Sequence, residues 1–319
     1  QDGRPILSQS ESQFKTTKFG LYNNSGAQRE VFSVQVSRFF NDGEGAFSIG
    51  YTHQNIDMIC SMQSSTSHSS YGKCPASDFQ YRSASRSIYE TEHRLFATLS
   101  STHYFFGPES PTTFNLFFER KSGLPGTLSF DTYSSPGRYQ TQAFGHERRT
   151  NDDSAQLLYI PSGVDDPLVC FVSCTSPDLA VAGEILDLLY NTYGLANYAG
   201  QILPPGAFEF PYQTTLDLKI TQVLPGLRDD DEFVISLGIE NLLNLLDDNK
   251  GEIFYGDYTG KIPVIDFSLT PDLSRYIYGN SRGADYAFGY SPNNPFDLSK
   301  SAVNSIWRAQ LGFTYRFSL

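Results

Sequence analysis

The stretch from Ser305 to Leu319 constrains the fold more than any other part of this chain. Trp307, Ala309, Leu311, Phe313, Tyr315 and Phe317 occupy one set of alternate positions. Arg308, Gln310, Gly312, Thr314 and Arg316 occupy the other. Side chains of a strand leave opposite faces with a period of two, so one face is wholly apolar and the other wholly polar. A strand in a soluble sandwich can alternate in this way, but its apolar face is seldom aromatic near both ends. In a transmembrane barrel strand the outward face meets lipid, the inward face meets water, and aromatic residues mark both interfaces.

The alternation recurs upstream. Phe47, Ile49 and Tyr51 form one apolar set, and Leu95, Ala97 and Leu99 a second, although Phe96 interrupts its polar partner set. Phe114, Leu116 and Phe118 follow, then Leu216, Leu218 and Ile220, then Phe233, Ile235, Leu237 and Ile239. The segment from Glu30 to Phe40 is less clean, with Phe32, Val34 and Val36 on one side. A weak first strand near Thr17 to Tyr22 brings the expected total to about eight antiparallel strands. Charges fall almost wholly on the opposite set: Arg94, Glu119, Asp217, Lys219, Glu240, Arg308 and Arg316. In a wide barrel these line the lumen; pairing across adjacent strands is an equal alternative, because charges enclosed in a barrel must pair or be hydrated.

Connection lengths also alternate. Asn41-Asp42-Gly43, Gly107 to Ser110 and Pro225 to Asp231 read as tight turns. Between them lie long segments, residues 57–89, 125–211 and 246–300. Outer-membrane barrels have short periplasmic turns and longer extracellular loops. Within the second long segment a helix is expected from Ser176 as cap and Pro177 at the first position to a close at Gly194. Leu179, Ala182, Ile185, Leu186 and Leu189 give it one apolar stripe. The stripe reads as packing onto the loop itself, with a lid or partner-binding helix as the alternative.

Hydrophobic residues make up 39% of the chain and no run approaches the roughly 18–20 apolar residues of a membrane helix. A barrel is compatible with that, because lumen-facing residues dilute the hydropathy of every strand. A net charge of −12 argues against nucleic-acid binding, which needs a basic surface. No charged n-region or apolar h-region stands at the start, so a removed leader or a piece of a longer chain is expected. The cysteines form two close pairs, Cys60 with Cys74 and Cys170 with Cys174. Their even number and local spacing suit loop disulfides in an oxidising compartment, with free thiols and a metal set as alternatives.

No nucleophile elbow, His-Glu-x-x-His or phosphate loop is present, and no enzyme activity or cofactor is expected. The five histidines, His53, His68, His93, His103 and His146, read as scattered over loops and strand ends. Asp229-Asp230-Asp231 and Asp247-Asp248 offer oxygen ligands but lack the spacing of a calcium loop, and the first reads as a solvated turn.

The terminal segment resembles the signal by which bacterial outer-membrane barrels are recognised for assembly: a polar residue, glycine two positions on, a hydrophobic residue three further, and an aromatic two beyond. Here those are Gln310, Gly312, Tyr315 and Phe317, with Ser318 and Leu319 as an overhang. Other stretches resemble TonB-dependent receptors of the Oar-like group. Ser122-Gly123 follows the strand Thr113 to Arg120. Ala155-Gln156-Leu157-Leu158-Tyr159-Ile160-Pro161 leads into an apolar segment ending Tyr-Ile-Pro. Tyr198-Ala199-Gly200-Gln201-Ile202, Leu216 to Gln222, and Ile239-Glu240-Asn241-Leu242-Leu243-Asn244-Leu245-Leu246 follow in the family's order.

The resemblance implies an outer-membrane receptor that imports a solute with energy delivered through TonB, in a barrel of about 22 strands with a plugged lumen. Residues 1–319 would be the C-terminal segment of that single barrel domain, an open, curved sheet without the plug. Implied partners are outer-membrane lipid, the barrel assembly machinery, the TonB system through the missing N-terminal part, and an unidentified solute. A small autonomous barrel, acting as adhesin or scaffold, would need its first strand to pair with its last. A secreted soluble β protein would need its aromatic face buried by a second sheet.

Overall fold

The structure, a computed structural model, describes residues 2–4, 25–59, 75–77, 82–131, 156–228, 230–254, 261–272, 274–279 and 301–317. The chain runs through β1 (Gln28–Phe40), β2 (Gly45–Met58), the two-residue β3 (Ser85–Arg86), β4 (His93–His103) and β5 (Thr112–Lys121). Then come β6 (Pro125–Asp131), β7 (Tyr159–Ile160), β8 (Val169–Phe171), helix α1 (Leu179–Asp187), β9 (Gln201–Ile202) and β10 (Phe208–Glu209). The last part holds β11 (Gln213–Pro225), β12 (Glu232–Glu240), the short helix α2 (Leu242–Leu246), β13 (Lys261–Leu269), β14 (Tyr276–Tyr278) and β15 (Arg308–Arg316).

Seven long strands form an antiparallel meander in chain order, β1-β2-β4-β5-β11-β12-β15, with β3 paired at the end of β2. Each has 9 to 14 residues, the span that lets a tilted strand cross a bilayer. Among the described residues β1 and β15 do not pair with each other, so the sheet stays open. The expected weak strand at Thr17 to Tyr22 lies outside the described residues.

Local chemistry sets the three tight turns. Asn41, Asp42 and Gly43 all take left-handed φ, 51°, 52° and 99°, which Asn, Asp and Gly tolerate best. In the second turn Ser110 donates its N–H to Gly107, itself at φ 114°. In the third, Gly226 and Asp231 close the loop by a backbone bond of 2.8 Å. All three lie at one end of the meander. The long connections leave from the other end, as expected.

The second and third long connections are more than loops. Parts of the second and third fold into a second sheet, β10-β6-β13-β14-β8, and the second also holds a two-stranded pair, β7-β9. The pairings β13 with β6 and β14 with β8 are parallel, which departs from the antiparallel expectation. Helix α1 packs against this sheet: Val181, Ala182 and Ile185, with Leu189 from the helical turn that continues it, join a core with Leu128, Phe130, Ile160, Phe171, Phe267, Tyr276 and Tyr278. Packing onto its own lobe is therefore the helix's role. Its cap is Asp178, whose carboxylate accepts from the N–H groups of Ala180 and Val181 at 3.0 and 3.2 Å, not Ser176. Leu179, counted in the apolar stripe, is exposed instead. Residues 2–4 reach into the same core, where buried Arg4 pairs with Asp2 at 2.7 Å and donates to the Leu157 carbonyl.

The distribution of buried apolar residues separates the two units. Among the described residues, Val234 is the one buried hydrophobic side chain contributed by the seven long strands. Everything else in the core belongs to the lobe and the segments leading to it. The long sheet is held by its ladders and has no core of its own.

Candidate functional site

The register divides the long sheet into two chemically distinct faces. One row runs Phe47, Leu99, Leu116, Leu218, Ile239 and Ala309 across six strands. The next runs Ser101, Phe114, Ile220, Leu237 and Leu311. On this face Phe32, Val36, Leu311 and Phe313 are each about 60% exposed (60%, 61%, 59% and 62%), so no second layer of described residues covers them. Charges interrupt it toward its two ends: Arg38 two residues before the end of β1, and Glu30, Asp57 and Arg120 toward the long-connection end.

The opposite face carries the rows Ser48, Thr98, Phe117, Asp217 and Ser100, Asn115, Lys219, Gly238, Gln310. All seven charges singled out from the sequence, Arg94, Glu119, Asp217, Lys219, Glu240, Arg308 and Arg316, lie on it. Most of them pair across strands. Glu119 takes Arg94 at 2.7 Å and Lys121 at 3.4 Å; Arg308 meets Glu240 at 3.0 Å and Arg316 meets Glu232 at 3.1 Å. Half-exposed pairs of this kind contribute little to stability, but they hold the cationic groups at fixed places on the face. Asp217 instead accepts the backbone N–H of Asn241 at 2.8 Å.

A hollow of about 620 Å³ lies on this side, lined among others by Thr98, Asn115, Asp217, Lys219, Ser236 and Gln310. It draws on strands β2 to β15, which makes the polar side the concave one. Phe96, the aromatic that breaks the polar alternation, lies over Gly50, where a Cβ would come within 2.3 Å of its ring. Arg94 sits 5.6 Å from the same ring, so the aromatic stays beneath a cation on a polar surface.

The four residues of the signal-like terminal pattern separate by face. Gln310 and Gly312 belong to the polar side, and a Cβ at Gly312 would lie 2.6 Å from the Ser236 hydroxyl opposite it. Tyr315 lies on the apolar side. Its hydroxyl donates to Asp231 and accepts the N–H of Leu227 at 3.1 Å, so it pins the third tight turn. Phe317 is exposed just beyond β15. Of the overhang, Ser318 and Leu319 lie outside the described residues.

The Asn-Leu-Leu-Asn stretch has a physical role. Asn241, left-handed at φ 54°, donates through its amide to the carbonyls of Gly251 and Ser305 at 2.9 and 3.0 Å. Asn244 donates to Asp248 and Lys250 and accepts the N–H of Trp307 at 3.2 Å. The two asparagines thus clamp the end of β12 to the entry of β15. Asp247 holds Asn249 and Lys250 in the same turn, a role that accounts for its carboxylate.

Cys170 and Cys174 form a disulfide with a Cα–Cα distance of 4.9 Å. Cys60 and Cys74 lie outside the described residues, as do His68, His146 and Asp229. The histidines are less scattered than the sequence indicated. His53 and His93 face each other across β2 and β4, a pairing visible only once the register is known. Compared with known proteins, the chain matches no protein-family model, no curated protein and no solved structure.

Proposed function

We propose that the long sheet is a portion of a transmembrane β-barrel in the bacterial outer membrane, and that the chain is the C-terminal barrel segment of a TonB-dependent receptor of the Oar-like kind. One observation carries this reading: an amphipathic meander of membrane-spanning length leaves its apolar face bare and curves around its polar one. In water, a face of this size would be covered by another layer. In lipid, only closed barrels and helices satisfy their backbone groups, so the outer edges of β1 and β15, unpaired among the described residues, call for partner strands from the rest of this chain or from a longer one. Tyr104, Phe105 and Phe106, exposed between β4 and the second tight turn, and Phe317 supply aromatic residues at the short-turn end, as a membrane interface favours. On this reading the charged concave face lines the lumen, the lobe lies outside the cell, and the solute passes along the polar side.

Replacing Leu237 or Leu311 with Arg tests the membrane assignment. Each should cost about 2–4 kcal/mol of folding free energy in lipid vesicles if it lies near the bilayer midplane. Arg at Ser236 or Thr314, one position away on the concave face, should cost far less. Equal tolerance on both faces contradicts the assignment. The transporter reading is tested separately, by whether the same open reading frame encodes a plug upstream of Gln1; a short frame without one would leave an autonomous barrel.

A further inference from the structure

His53 and His93 are direct cross-strand partners, and their rings stack with centroids 5.1 Å apart. Glu92 immediately precedes β4. One nitrogen of each ring and one carboxylate oxygen lie within 4.8 Å of one another. The pair shares a row with Phe32 of β1, one row beyond Tyr51, Leu95, Arg120 and Thr214, at the long-connection end. His93 and Glu92 side chains keep 40% and 35% of their exposure, which leaves the cluster open to solvent ions.

Hydrogen bonds around the cluster orient it. The Nδ1 atom of His93 is bonded to the Tyr51 hydroxyl at 2.8 Å, leaving Nε2 toward Glu92 Oε1 at 3.3 Å. For two donors at about 2.0–2.1 Å from a tetrahedral zinc ion, the donor–donor distance is about 3.3–3.4 Å. His53 Nδ1 donates to the Glu92 carbonyl at 3.1 Å, which places the ring lone pair on Nε2. The second oxygen of Glu92 is held by Arg86 at 2.8 Å, and Arg86 is itself anchored on Glu90 and Glu209. Every donor therefore has an outer partner that fixes its orientation, as ligand sets of metal sites do.

We propose that His53, His93 and Glu92 form a binding site for a divalent transition-metal ion of the zinc class at the outer rim of the sheet. Two imidazoles and a carboxylate suit zinc in tetrahedral geometry, with the fourth position open to water or a solute ligand. An ion there would tie β2, β4 and the arm before β4 together at the long-connection end.

The test uses the full chain without a histidine tag, folded in detergent micelles and stripped of metal. Zinc chloride is titrated by calorimetry, and cobalt chloride by its visible absorption, which grows intense when coordination is tetrahedral. The expected result is a single ion per chain. Affinity should fall about tenfold or more in His53→Ala and in the isosteric Glu92→Gln, and about 10-fold in Tyr51→Phe through loss of outer-shell orientation. His103→Ala, on the same face at the other end of β4, should bind as the parent does. Circular dichroism confirms that each variant is folded. No uptake by the parent chain, or uptake unchanged in both His53→Ala and Glu92→Gln, overturns the proposal and leaves the cluster as a histidine–glutamate contact.

Discussion

Asn241 offers the sharpest test of how the sheet is held at the entry to β15. Its amide makes two buried bonds to backbone carbonyls, Gly251 at 2.9 Å and Ser305 at 3.0 Å. Each such bond contributes about 0.5–1.5 kcal/mol net. The residue also sits in the left-handed region at φ 54°, ψ 53°, which Asn tolerates and Ala occupies at a cost of about 1–2 kcal/mol. Asn241→Ala should therefore lose about 3 kcal/mol. Asn241→Gly loses the same hydrogen bonds without the backbone penalty, so it should fall between Ala and the parent. Trp307 is the single tryptophan of the chain and its backbone N–H is bonded to Asn244, so its fluorescence during urea unfolding in micelles follows the segment that the clamp holds. Both variants unfolding within about 0.5 kcal/mol of the parent would refute the clamp, and Gly falling below Ala would refute the backbone part of the reasoning.

Other consequences are as direct. Non-reducing peptide mapping should recover a Cys170–Cys174 link and, from the sequence pairing, Cys60–Cys74; four alkylatable thiols in unreduced protein would sink both. Tyr159 in the lobe is pushed up to about 12 by burial and by neighbouring Asp166. The native lobe holds the neutral phenol, while an unfolded tyrosine ionises near about pH 10. This group's contribution is complete below that pH and is lost as pH rises through about 12. Near-ultraviolet dichroism should show the lobe melting at progressively lower temperature over that window, and Tyr159→Phe should flatten the dependence.

The sequence was most legible where structure is local. Alternation located the long strands because the two faces of one strand differ in solvent whatever its partner is. Turn chemistry at Asn41 to Gly43 set the first hairpin, and the side of each of the seven charges followed from strand parity. The lobe was not legible. Its strands are mostly two or three residues long and pair across wide gaps, as β14 does with β8. Strands buried on both faces, such as β6, show no alternation. His53 and His93 came together only through register, which neither residue's surroundings encode. The helix cap moved from Ser176 to Asp178 because the latter's carboxylate reaches two free N–H groups at once.

The central claim is that the bare face of the sheet meets lipid. With Trp307 replaced by Phe, a single tryptophan can be placed in turn at Ile235, Ser236, Leu237, Gln310 and Leu311. The folded variants are then reconstituted in vesicles containing lipids brominated along their acyl chains. Strong quenching at Ile235, Leu237 and Leu311, with little at Ser236 and Gln310, is the predicted period-two pattern. Quenching that is weak everywhere, or that does not alternate, would contradict a membrane-embedded apolar face.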